Sequence, residues 1–537
     1  MPLIALPAER LRTIFWIVLF LTLAIRLALA VAIPFTGDEA YFYSWGVNPD
    51  FGFYDHPPMI GWIHALTRRI SDAAWFLRLP ALLVPTVLTL AVVALARAAG
   101  EERAWLAGIG FALLPAEVLF ALVTTDTPLI LFATLSVVAF AAALRREGAA
   151  AARGQGNAFP AGLYALAGVF LGLAFLSKYF AVLLGLAYIV FALVSPLSER
   201  RWRGAALVVA CAVPFGLINL VWNYGHCWSN ILFNAYNRHG SAKPSPWTPL
   251  LYLATLLYLL SPVLVWGLLR DRKAWSRWRG DPQRRFLAVV VFAPLALFAA
   301  LSVAKQIGLH WLLAFVPPFF ALAAFMLPAA ILRTNVRFLA AFSALHVLVV
   351  AAILALPVET FARTKWYQGI VMTVYPEELF RALAPYTKDY ELAAEGYTPA
   401  YTLTYAAQRS GFGSDTPGEP PVPRGFFIVY GAGSHNARQY DSLQDLRRLD
   451  GRNLLVIRKS EPPRSEYDPY FREVEYKRIE VRGAPFYVTL GRGFDFASYR
   501  DKVLAGVRDR YYRVPAFLPQ GGCTYCERYF GGPCPTR

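Results

Sequence analysis

Charge is what this sequence is short of. Of its 537 residues only 16% are charged, against about 25% in an ordinary soluble domain. A chain this poor in charge cannot coat a soluble body of its own size, so much of it must face something other than water. Cysteine is scarce too, five in all. Cys523 and Cys526, with Cys534 beyond them, lack the second ligand pair of a zinc site, and a disulfide suits them better if the tail lies outside the cytoplasm. Three cysteines leave one over, for which Cys227 is the candidate; Cys211 sits in an apolar run as a small core residue. Acid is scarcer than base, 35 residues against 52, for a net charge of +17. Such a surplus can mark nucleic-acid binding. Here the arginines lie between apolar runs rather than on one surface, which argues against nucleic acid and for basic loops beside a membrane.

Apolar residues are what the chain has in plenty, at 57% with a mean hydropathy of +0.42. A spanning helix takes about 20 of them. Runs of that kind lie near 12–33, 74–97, 103–123, 127–145, 160–177 and 179–195, then near 204–223, 248–269, 285–304, 309–332 and 336–357. About eleven transmembrane helices are therefore expected. The first run is longer than the core of a signal peptide and is read as a span. With the N-terminus inside, the cytoplasmic segments carry 19 basic residues and the outer loops 7. The positive-inside rule then places the C-terminus outside. From 358 onward the apolar runs shorten and Gly, Pro, Tyr and charge increase. Strand-like stretches stand at Phe426–Tyr430, Asn453–Arg458 and Phe486–Leu490, with a Gly/Pro loop over 412–424. The division expected is a membrane domain, 1–357, and a mixed α/β soluble domain, 358–537, which either covers and recognises substrate or packs structurally.

The outer loops hold the unusual residues. Gly37-Asp38-Glu39-Ala40-Tyr41 follows the first span; if helical, residues 38, 41, 42 and 45 share one face. Asp38 then stands in a first turn, where the helix dipole favours a carboxylate, either as a cap or as a working acid. Tyr54-Asp55-His56-Pro57-Pro58 opens a second interfacial helix, with Met59, Ile60, Ile63, Leu66 and Ile70 as its apolar stripe. Asp55 and His56 suit capping and interfacial packing equally well. Asp126, in Thr125-Asp126-Thr127-Pro128, either caps a helix or works; Lys178, in Ser177-Lys178-Tyr179, either snorkels or binds. Arg238 and His239 lie in another outer loop, and Lys305 and His310-Trp311 bracket the start of the tenth span. Together they put acids and cations on one membrane face. Carboxylates suit a general base, and cations suit a phosphate that departs with negative charge.

In that order these motifs resemble the GT-C membrane glycosyltransferases, in the branch of protein mannosyltransferases and lipid A aminoarabinose transferases. The resemblance covers roughly residues 10–350 and is strongest in the first 180. It implies a sugar donor on a polyprenyl phosphate, attacked at the anomeric carbon with inversion, in the bacterial inner membrane with the C-terminal domain periplasmic. Asp38 matches the first-loop aspartate that serves as base, and Asp126 a second outer acid; both are taken as catalytic. Glu39, Tyr54, Asp55, His56, Lys178, Arg238, His239 and Lys305 are the substrate-binding candidates. Aminoarabinose transferases carry Glu-Lys where this chain has Asp55-His56, so a permanent cation is replaced by one that titrates near neutrality. Metal dependence varies in the family, and no local cluster here has clear ligand spacing, so a cofactor is left open. The expected partners are a polyprenyl-phosphate sugar, a lipid, glycan or protein acceptor, and the membrane. A transporter or flippase is the rival reading, since it too would need charge in the membrane, though its polar groups would sit nearer the midplane. A catalytically inactive relative is the third.

Overall fold

The structure, a computed structural model, describes residues 7–154, 159–195, 199–237, 245–271, 281–412, 425–431, 436–463 and 466–537. Six helices among these are long and apolar enough to cross a membrane: Ala8–Ala32, Ala74–Ala99, Asp126–Ala152, Trp202–Gly225, Pro282–Ser302 and Ala329–Ala355. Three expected spans are shorter helices, Ala161–Ser177, Ala181–Val194 and Leu313–Met326. The protein is a multi-span helical membrane protein.

Where expected spans break, prolines mark the places. The 248–269 run bends by 97° between Trp247–Leu260 and Pro262–Arg270. Ser261 has a φ of 64°, and the following proline disfavours helix at that residue. The 103–123 run stops being one helix at Ala112, and a short helical turn restarts at Pro115. The last two runs divide at Leu327-Pro328 rather than between 332 and 336, so a single helix occupies Ala329–Ala355. Elsewhere small residues let helices approach closely. A Cβ on Gly168 would lie 2.4 Å from the Val208 carbonyl oxygen, and one on Gly172 would lie 2.2 Å from the Phe215 ring.

After the first span (α1, Ala8–Ala32) come two short helices, α2 (Gly37–Val47) and α3 (Met59–Thr67). A capping box starts α2: the Thr36 hydroxyl accepts from the Glu39 N–H, and the Glu39 carboxylate accepts from the Thr36 N–H. In α3 the expected stripe divides. Met59 and Ile60 are buried, whereas Leu66 and Ile70, the latter beyond the helix end, are exposed.

The C-terminal region holds a five-stranded sheet in the order β2-β1-β3-β5-β4. Its strands are β1 (Glu391–Glu395), β2 (Phe427–Val429), β3 (Leu454–Arg458), β4 (Phe471–Val481) and β5 (Ala484–Phe494). The first three run parallel; β5 pairs antiparallel with β3 and with β4. All three expected strands are present, while the 412–424 loop lies almost wholly outside the described residues. The parallel strands deliver their following residues at their carboxyl ends, where open α/β sheets bind ligands. At that edge β1 passes through Gly396, in a left-handed conformation at φ 87°, into the Tyr397–Ser410 helix.

Several ties join the C-terminal region to the membrane part. The Tyr397–Ser410 helix lies against α2 so tightly that a Cβ on Gly37 would come 2.3 Å from Thr398 Cγ2. The Tyr54 N–H donates to Gln439 Oε1 at 2.7 Å. A disulfide links Cys227, beyond the Glu199–Gly225 helix, to Cys523, and a second joins Cys526 to Cys534. The tail cysteines therefore form disulfides, with Cys227 as the fourth partner, and Cys211 is free.

Candidate active site

The short segments between helices converge on a cavity of about 730 Å³. Each motif reaches it from a different helix end. Asp38 comes from the first turn of α2; Tyr54, Asp55 and His56 come from the segment leading into α3. Asp126 stands at the first residue of the Asp126–Ala152 helix, and Lys178 at the end of Ala161–Ser177. The sheet region supplies Tyr397, one residue past Gly396, and Arg438.

Asp126 and Lys178 are buried together, and the ammonium lies 2.8 and 2.9 Å from the two carboxylate oxygens. Asp126 is thus engaged by a cation rather than acting as a helix cap. Asp55 is also buried and accepts a 2.7 Å hydrogen bond from the Tyr41 hydroxyl. Its second oxygen is 3.8 Å from Arg438 Nε, which is an ion-pair distance and not a hydrogen bond. The Arg438 guanidinium lies over two rings, 4.8 Å from the Tyr397 centroid and 5.2 Å from that of Phe233. Its Nε is buried and makes no hydrogen bond. Such an orphaned donor in a cavity wall calls for an explanation.

Asp38 is the cavity acid most open to a small molecule, being exposed by surface area. Protein nonetheless surrounds it, as a cavity wall does. Burial is the main influence on its carboxyl and raises the pKa; the Arg438 charge and a Tyr397 hydrogen bond pull it down, and Glu39 pushes it up. A carboxylate raised toward neutrality while still reachable is well suited to taking a proton.

Glu39 stands apart. Its carboxylate faces Arg78, at 2.8 and 2.7 Å from Nε and Nη2, and it does not line the cavity. Arg78 donates further to the carbonyl oxygens of Ala30, Ile33 and Pro34. Glu39 therefore ties the end of α1 to α2, whereas a substrate contact was the expectation. Lys305 is likewise outside the lining, with Nζ 4.9 Å above the Trp311 ring. Arg238 and His239 lie outside the described residues, immediately after Asn237, which lines the cavity. His56 is half-buried near the Phe42 and Trp45 rings. Sequence reasoning missed Tyr397 and Arg438 as site residues; Gly396, directly before Tyr397, is the one local signal on offer, and Arg438 carries none.

The one group of three possible metal ligands within 4.8 Å of one another, among the described residues, is Cys227, Cys523 and Cys534. All three are in disulfides, so no thiolate is on offer.

Residues 55–222 match the family described as dolichyl-phosphate-mannose-protein mannosyltransferase. A stretch of 199 residues is 30% identical to lipid A galacturonosyltransferase RgtD from Rhizobium johnstonii, covering 36% of this chain and 40% of that one. The chain thus spans less than half the length of that curated relative. The crystal structure of ArnT from Cupriavidus metallidurans, bound to undecaprenyl phosphate, superposes with a TM-score of 0.53 at 15% identity, over 88% of this chain and 98% of the other. The chain has the GT-C fold. Within that fold the mannosyltransferase match opens at Asp55 and takes in Asp126 and Lys178, but leaves out Asp38 and everything the sheet supplies.

Proposed function

We propose that the protein is an inverting glycosyltransferase that moves a sugar from a polyprenyl-phosphate carrier to an envelope acceptor, whether lipid, glycan or protein. The observation that carries this is the cavity itself, where the reachable Asp38 carboxylate shares one chamber with Lys178 and Arg438. Asp38 takes the proton of the acceptor hydroxyl. The acceptor oxygen attacks the anomeric carbon from the side opposite the phosphate, and the sugar–phosphate bond breaks with its electron pair leaving on the carrier. Arg438 and Lys178 stabilise that departing phosphate. Asp126 holds Lys178 in place, and Tyr54, Asp55 and His56 shape the donor pocket. Arg238, His239 and Lys305 are further candidates for holding the carrier phosphate. The similarity to a lipid A galacturonosyltransferase makes lipid A the first acceptor to try and galacturonic acid the first sugar.

The chamber and the 358–537 domain belong to the periplasmic face of the bacterial inner membrane. The arginine asymmetry supports this, and so do the disulfides, which persist in oxidising compartments. The membrane domain is 1–357.

Proteoliposomes supplied with polyprenyl-phosphate galacturonic acid and lipid A test the reading. Wild-type protein transfers label to the acceptor. Asp38→Asn lowers the rate by about 10²–10⁴-fold, the range for loss of a general base, with helicity unchanged. Full transfer by that variant removes Asp38 from the role. Movement of the intact donor across the bilayer without a glycosylated product makes the protein a flippase.

A further inference from the structure

Across α2 from Asp38 a second cavity, of about 320 Å³, opens between that helix and the sheet. Its walls follow helical geometry. Ala40, Tyr43, Ser44, Val47 and Asn48 form one face of α2, and Tyr401, Thr404, Tyr405 and Gln408 form one face of the Tyr397–Ser410 helix. Phe427 of the edge strand β2, with Tyr440 and Gln444, completes the enclosure. Among the described residues no charged side chain lines it, whereas the first cavity is built on charge.

The lining consists of aromatic faces beside amides and hydroxyls. Tyr43 and Tyr405 spend their hydroxyls on Asp72, at 2.9 Å to a carboxylate oxygen and 3.2 Å to the carbonyl. What they leave to the cavity is ring surface. The Tyr401 hydroxyl is buried at the cavity wall beside the Ser44 hydroxyl and makes no further hydrogen bond, so part of its hydrogen-bonding capacity goes uncompensated. A pyranose matches this set, because its C–H face packs on aromatic rings while its hydroxyls meet amides and the paired hydroxyls of Ser44 and Tyr401. A charged headgroup finds no counter-charge here, and an acyl chain gains nothing from Gln408 or Asn48. The volume lies at the small end of ligand sites, about 300–1,000 Å³. The walls of the two cavities touch where Tyr41 of the first meets Tyr401 of the second, with ring centroids 4.9 Å apart.

We propose that this second cavity binds a neutral saccharide segment of the acceptor, holding it beside the chamber where transfer takes place. The proposal rests on the transferase reading for its purpose but not for its test. Full-length protein in nanodiscs is probed with an array of neutral and acidic envelope-type oligosaccharides. Neutral glycans are retained by wild type and equally by Asp38→Asn. Binding falls at least tenfold in Ser44→Phe, which fills the cavity, and severalfold in Gln408→Ala, which removes an amide and leaves the packing intact. Retention by both cavity variants with loss in Asp38→Asn would move the sugar into the first chamber and overturn the proposal. So would failure to retain any neutral glycan, or displacement by a lysophospholipid and not by free sugar, which assigns the cavity to an acyl chain. If glycans bind as expected while wild type transfers no sugar, only the transferase reading falls.

Discussion

The Asp38 carboxyl sits between two influences of opposite sign: burial favours its protonated form and Arg438 its ionised form. In its proposed role as base it works only when ionised, so transfer should fall as pH descends through its raised pKa. Arg438→Gln removes the positive charge that lowers that pKa. The acid limb of the kcat/KM profile should therefore move to higher pH, read from rate profiles of the two proteins side by side. A pH-independent loss in the variant would instead mean that Arg438 serves substrate alone. Glu39, the immediate neighbour of Asp38, has a different fate. Glu39→Ala leaves a wholly buried Arg78 with its carbonyl contacts but without its counter-charge. Removing one partner of such a pair costs about 3–5 kcal/mol. Thermal unfolding in detergent should show that loss, with the donor and acceptor KM of the surviving protein unchanged.

At the scale of elements, α2 is the part on which both cavities depend, and its position is set by its crossing with α3. A Cβ on Gly46 would lie 2.5 Å from His64 Cβ and 2.7 Å from its backbone carbon. Backbone cannot swing aside as a side chain does, so Gly46→Ala should cost about 1–3 kcal/mol and reduce transfer by shifting Asp38. Gly148, with open space around it, is the matched control: alanine there should be neutral or stabilising by up to about 1 kcal/mol. The same elements show what can be read from sequence. Asp38, Asp126 and Lys178 were legible because each stands in a short motif where an apolar run ends, which hydropathy registers, and Asp55 because it stands just before the paired prolines that open a helix. Arg438 was not, since no periodicity marks it and its partners lie hundreds of residues away, at Asp55 and Phe233. Glu39 was grouped with Asp38 because adjacency is visible in sequence, whereas its partner Arg78, 39 positions further on, is not. The bend at Ser261 escaped for a related reason: hydropathy sums side chains and carries no information about a positive φ.

For the whole molecule, the decisive link is the Cys227–Cys523 disulfide, which spans a sequence separation of 296. Two sides of the first cavity, one beyond the Glu199–Gly225 helix and one from the sheet region, are held in register by it. Cys523→Ser should cost about 2–5 kcal/mol and lower transfer, and a dithiol reductant applied to wild type should reproduce both effects in calorimetry and rate assays. The link also sets an order of events. Cys523 is synthesised after all five strands, so Cys227 waits with a free thiol through most of translation. The chamber can be locked only when the sheet that walls it has already been made. A chain halted early keeps its membrane helices and its Asp38 but has no Cys523 to fasten them to.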